Sequence, residues 1–174
     1  MDKSNQPIAD FLVATTKPDD TISTHFTARE LVRSEIATRH AIDNWFKLDI
    51  YLQNAVFLCR NVLEPLRTAH GQFTPNSVYR SQELERTLKK KPSHWVSNSQ
   101  HTSGQAADIE ILSISNFDLA EWASKHLDFD QIILEMYTAG VPSSGWVHIS
   151  LTTQSNRKQL LTFDGKTYAP GLLL

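Results

Sequence analysis

Along the chain, apolar residues recur with two different periods, and the change from one to the other divides it into a helical front and a strand-bearing rear. Residues 1–24 scatter Pro, Asp, Thr and Ser among few apolar positions, which predicts a loosely ordered leader. Order is expected from about residue 25. Thr27 and Glu30 have the spacing of a capping box, and Phe26 and Leu31 that of a hydrophobic staple, so a helix is predicted over about 28–39. A longer helix is predicted over about 46–70, where Leu48, Leu52, Ala55, Cys59, Val62, Leu63 and Leu66 fall near one face. Pro65 cannot donate to the turn before it, so a kink or break is expected near Glu64, with Gly71 as the stop.

Beyond Pro75 the elements shorten. Residues 76–79 read as a short strand, Ser81 as the cap of a helix to about Lys89, and residues 91–100 as a polar loop carrying His94 and Trp95. Strands are predicted at 105–111, 130–136 and 146–151, with a helix capped by Ser115 or Asn116 running to about His126. Asp164-Gly165 between two β-prone runs marks a hairpin. Helices first, then strands with helices between them, predict an α+β fold. The expected architecture is one domain over 25–174: a small antiparallel sheet flanked by the amino-terminal helices.

Composition narrows the function classes. A chain of 174 residues can bury a core unaided. Its net charge of -2 lacks the basic excess of a nucleic-acid binder, and no apolar run is long enough for membrane insertion. The start has no signal-peptide layout, which predicts a chain that is cytoplasmic when made. Cys59 is the sole cysteine, set in an apolar helical stretch and read as a packed thiol. Any metal must then be held by histidines and carboxylates.

Of the seven histidines, His25, His40, His70 and His126 read as surface or capping residues, and His94 as a loop residue that could at most touch a substrate. His101 and His148 differ. His101 precedes a small-residue turn, with Gly104 free to reverse the backbone, and Asp108 follows on a predicted strand between Ala107 and Ile109. In the 146–151 strand, alternation sets Trp146, His148 and Ser150 on one face. Spacing alone favours a turn-capping aspartate, a loop histidine and a hydrogen-bonded core histidine. Together, however, two histidines and one aspartate make a three-ligand metal site with a fourth position open.

The run Ser99, His101, Gly104, Ala106, Asp108, followed by Trp146 and His148, resembles the motif of the zinc D-Ala-D-Ala carboxypeptidases and L-alanyl-D-glutamate endopeptidases. These are bacterial and phage enzymes that cleave peptidoglycan stem peptides. The likeness extends to residues 26–44, to Val62–Arg67 and to the Tyr79-Arg80-Ser81 turn, in the manner of the phage-type branch, and spans about residues 26–157. It implies one Zn2+ ion on His101, Asp108 and His148, and an Arg80 that steadies substrate carboxylate or oxyanion charge. It also implies stem peptides as the partner, with Ser99, Gln100 and Trp146 near the substrate. A monomer is expected, acting on the wall after release or as part of a phage particle.

The chain departs from that family at the catalytic base. A carboxylate is expected three residues before the last histidine, where this chain has Gly145. Glu135, on the 130–136 strand, is the replacement candidate, with Asp130 in reserve. A catalytically weakened wall-binding or virion structural module is the alternative that Gly145 leaves open. Residues 89–98 also depart, in a loop whose Trp95 could stack on substrate or cover the core edge.

Overall fold

The computed structural model describes residues 1–173, and the fold is α+β. Five strands, β1 (Ala106–Ile109), β2 (Gln131–Glu135), β3 (Trp146–Ser150), β4 (Gln159–Phe163) and β5 (Tyr168–Pro170), form one sheet in the order β1-β3-β2-β4-β5. The β1–β3, β2–β3 and β4–β5 pairs are antiparallel, but β2 and β4 run parallel. The sheet is therefore mixed, not antiparallel throughout as expected. After β3 the chain crosses the start of β2 and returns along its far side, which forces the parallel pairing. Asp130 pins that crossover: its carboxylate accepts from the Arg157 backbone N–H at 2.8 Å and its carbonyl from the Gln159 N–H at 3.0 Å.

The two faces of the sheet have different fates. Ala107, Ile109, Ile132, Leu134, Val147 and Ile149 point inward and are fully buried. They join Leu52, Leu58, Leu63, Leu66, Leu119 and Ala123 of the helices in one core. The opposite face carries Asp108, Ile133, Glu135, Trp146 and His148, and lines a cleft.

Among the described residues, six α-helices and one π-helical segment accompany this sheet. The capping box at Thr27 and Glu30 starts α1 (Ala28–Val32), but the predicted 28–39 helix breaks at Ser34, whose hydroxyl accepts from Ala37 N–H at 3.2 Å and starts α2 (Glu35–Arg39). Serine satisfies the free amides of a new helix start better than it supports a helix interior. α3 (Asp49–Leu58) continues through a π-helical segment (Cys59–Leu63) into α4 (Glu64–His70). The wide turn falls just before Pro65, where an α-helical hydrogen bond is lost in any case. Ser81 caps α5 (Gln82–Leu88), and Ser115 caps α6 (Asn116–His126), which packs on β2 and β3. Cys59 is free and buried.

Two further expectations are corrected. Residues 76–79 form no strand: the backbone bends at Asn76 and Val78, and a single bridge pairs Ser77 with Asp108. The leader is not loosely ordered: Phe11 and Ile22 are fully buried in the core. Arg60 fastens the segment from the helix side, donating to the carbonyls of Lys3, Gln6 and Ile22. Burying two such side chains contributes about 1.5–3 kcal/mol each, a part of what ordering the segment costs.

Candidate metal centre

The three predicted ligands come from two pieces of chain. His101 sits in a 3-10 turn (Gln100–Ser103) closed by Gly104 in the left-handed region at φ +74°. A Cβ at 104 would lie 2.3 Å from the Tyr51 carbonyl oxygen, so the turn packs against α3 only because the residue is glycine. Asn54 donates to the Ser103 carbonyl at 3.0 Å and locks the turn there. Asp108 and His148 are direct partners across the β1–β3 pair and share a face.

These residues converge. His101 Nε2 lies 3.1 Å from Asp108 Oδ1 and 3.2 Å from His148 Nδ1, and His148 Nδ1 lies 3.0 Å from Asp108 Oδ1. All three residues are buried, at 2, 7 and 8% exposure for His101, Asp108 and His148. His101 Nδ1 donates to the Val78 carbonyl at 2.7 Å, which fixes the proton on that nitrogen and leaves Nε2 with a lone pair. Burial pushes the His101 pKa below its ordinary value despite Asp108, so the ring is neutral at neutral pH. Burial alone would raise the Asp108 pKa, but the two histidines and Arg80 hold it well below the carboxylate range.

Two unprotonated acceptors thus face each other and a third ring nitrogen in a buried pocket. Such a cluster is stabilised by a shared cation. Tetrahedral ligands about 2.0–2.2 Å from an ion lie about 3.3–3.6 Å apart, slightly wider than the spacing observed. The buried His101, Asp108 and His148 group can therefore hold a metal ion, and it is the one such group among the described residues.

Arg80 abuts this cluster. Its Nη2 donates to Asp108 Oδ2 and lies 3.3 Å from His101 Nε2, while Nη1 donates to Glu85 at 3.0 Å and Nε to Ser77 at 2.7 Å. Sequence reasoning singled out Arg80 for substrate; its contacts also make it the clamp on Asp108. Glu85 was missed, since nothing distinguishes it in the sequence from any helical glutamate.

A cleft of about 570 Å³ opens over the cluster and brings together every predicted site residue: Arg80, Ser99, Gln100, His101, Asp108, Glu135, Trp146 and His148. Glu135 is half-buried and pairs with Trp146 two residues along β3 from His148. Burial, and then the charge of Asp108, raise its pKa above the ordinary glutamate value. Trp146 Nε1 is buried and bonded to no protein group. Gln100 is held by its amide to Asp130 Oδ2 at 2.9 Å. Asp130, the reserve base, lies outside the cleft lining, and Arg157 side-chain hydrogen bonds lower its pKa to about 2. It is committed to the crossover.

The hairpin adds Phe163 and Tyr168, stacked at 4.3 Å between centroids, to the cleft wall beside Glu135. The Asp-Gly signal foretold the hairpin but not where it would lie. Trp95 is not among the cleft-lining residues; it lies against Lys89 and Lys91, each ammonium within 6 Å of its ring. No family model matches this sequence, and no curated protein matches it.

Proposed function

We propose that the chain is a zinc-dependent peptidase that hydrolyses peptide bonds in bacterial peptidoglycan stem peptides, of the D-Ala-D-Ala carboxypeptidase or L-Ala-D-Glu endopeptidase type. The observation that carries this reading is the meeting of His101, Asp108 and His148 in a cleft that also holds Glu135 and Arg80. Two imidazoles and one carboxylate suit one Zn2+ ion, and the open side of the cluster faces the cleft. Zinc held there supplies a Lewis acid for the scissile carbonyl and makes a water acidic enough to attack near neutral pH. The stem-peptide substrate rests on the seven motif residues from Ser99 to His148.

The remaining steps belong to the protein's own groups. Glu135, its pKa raised by burial towards what a general base needs, takes the proton of the attacking water and returns it to the leaving amine. Arg80 keeps Asp108 oriented and offsets negative charge that develops on the carbonyl oxygen or stands on a substrate carboxylate. The unpartnered Trp146 Nε1–H offers a donor to a substrate carbonyl. The same reading includes a monomer working on the wall after release or as part of a phage particle.

One observation favours a second reading. Arg80 already contacts both Asp108 and His101, which supplies the cluster with a positive charge of its own. A wall-binding or virion structural module without turnover fits that arrangement. Incubation with purified peptidoglycan separates the two. Release of stem-peptide fragments with new amino termini, abolished by a chelator and restored by zinc, supports the peptidase. Retention on the wall without any release supports the module.

A further inference from the structure

Glu85 lies on α5, has 0% exposure and ligates nothing, yet its carboxylate is fully engaged. One oxygen accepts from Arg80 Nη1 at 3.0 Å; the other accepts from Lys89 Nζ at 2.8 Å and from the Ser97 hydroxyl at 3.2 Å. A carboxylate withdrawn this completely from water is costly, and an apolar residue would fill the same helix position at less cost. The two ends of the Arg80 guanidinium are held by Glu85 and Asp108, and Nε by Ser77. With its plane so fixed, Nη2 reaches Asp108 Oδ2 and leaves Oδ1 to face the histidines. Glu85 also offsets the arginine's charge beside a cluster that must accept a dication.

From this we infer that Glu85 is a positioning residue for the metal centre, acting through Arg80 to orient Asp108 and to keep the site receptive to a cation. The inference rests on the proposed metal site and deepens it. A second arm from Glu85 must be separated from the first. Ser97, which donates to Glu85, also accepts from the Ser99 backbone N–H at 3.1 Å, at the entry to the His101 turn. Glu85 could therefore act through the loop instead.

The test is zinc affinity, measured by competition with a chromophoric chelator for wild type, Glu85→Gln, Arg80→Gln, the double variant and Ser97→Ala, with folding checked by circular dichroism. Loss of an outer partner of a metal ligand typically weakens binding about 10–100-fold, and Glu85→Gln is expected in that range. In the Arg80→Gln background the same change is expected to have less than about a twofold effect, because a residue that acts through another has nothing left to act on. Ser97→Ala is expected to change affinity by less than about threefold. An equal loss from Glu85→Gln in both backgrounds, or its reproduction by Ser97→Ala, overturns the inference. Should Glu85→Gln not fold, Glu85→Asp, which keeps the charge but shortens the reach, enters the same cycle. Wild type that binds no zinc overturns the metal site itself; wild type and Glu85→Gln that bind equally overturn only the role of Glu85.

Discussion

Gly145 lies against the carbonyl of Glu135, so closely that a Cβ at position 145 would sit 1.9 Å from that oxygen. Its φ of +68° is itself one that side-chain-bearing residues rarely adopt. Position 145 therefore has no room for a carboxylate side chain on this backbone, and the glutamate packed against it is the one that enters the cleft. Gly145→Ala is expected to lower unfolding stability by about 1–3 kcal/mol in denaturant melts, through backbone strain and displacement of the β2–β3 end. Gly145→Glu is expected to lose activity, not gain a base; higher turnover would remove Glu135 from its assigned role.

Glu135→Gln separates catalysis from metal binding. Turnover on stem peptides is expected to fall about 10²–10⁴-fold with bound zinc unchanged. The raised pKa adds a sign for stability. A carboxyl whose folded pKa lies above its unfolded value is penalised once it ionises, so the penalty is absent at low pH and complete above the folded pKa. The metal-free variant should melt above metal-free wild type at neutral pH. That difference should close as pH falls below the ordinary glutamate value of 4.5.

Asp108→Asn keeps the shape of the side chain and removes its charge. Expected is the loss of stoichiometric zinc, read by elemental analysis, because the carboxylate is the sole anion among the three ligands. The change also leaves Arg80 with Glu85 as its one anionic partner. Zinc retained at one equivalent would show that the ion sits elsewhere.

Asp130→Asn tests the assignment of that residue to the crossover instead of catalysis. Its folded pKa of about 2, set first by Arg157 side-chain hydrogen bonds, lies below the ordinary aspartate value of 3.8. The pair therefore contributes stability above the unfolded value and loses it as pH falls towards 2. With Arg157 half exposed and screened by water, the expected loss at pH 7 is about 1–2 kcal/mol. Turnover of the folded variant should remain within a few-fold of wild type. A loss as large as that of Glu135→Gln would return Asp130 to the chemistry.

Local signals were legible where the residue that sets them is close in sequence. Thr27 with Glu30, Ser81 and Ser115 start the helices expected of them, and the alternation from Trp146 to Ser150 sets His148 on the cleft face. His101 and Asp108 were legible as a pair for the same reason: seven residues and one glycine turn separate them. What the sequence hid depends on distant partners. Phe11 and Ile22 are isolated apolar residues in a polar stretch, and only the core built by later elements makes them interior. The parallel β2–β4 pair follows from a crossover held by Asp130, Arg157 and Gln159, residues without a local pattern. Glu85 is hidden in the same way, since its meaning comes from Arg80 and Asp108.

The proposed peptidase activity depends on one ion held on His101, Asp108 and His148. Zinc titrated into chelator-stripped protein, with new amino groups from purified peptidoglycan counted at each addition, tests it most directly. The rate should rise linearly to one equivalent of zinc and then level off, and His148→Ala should stay flat throughout. Turnover that is independent of zinc, or no release at any equivalence from protein that has bound the ion, would contradict it.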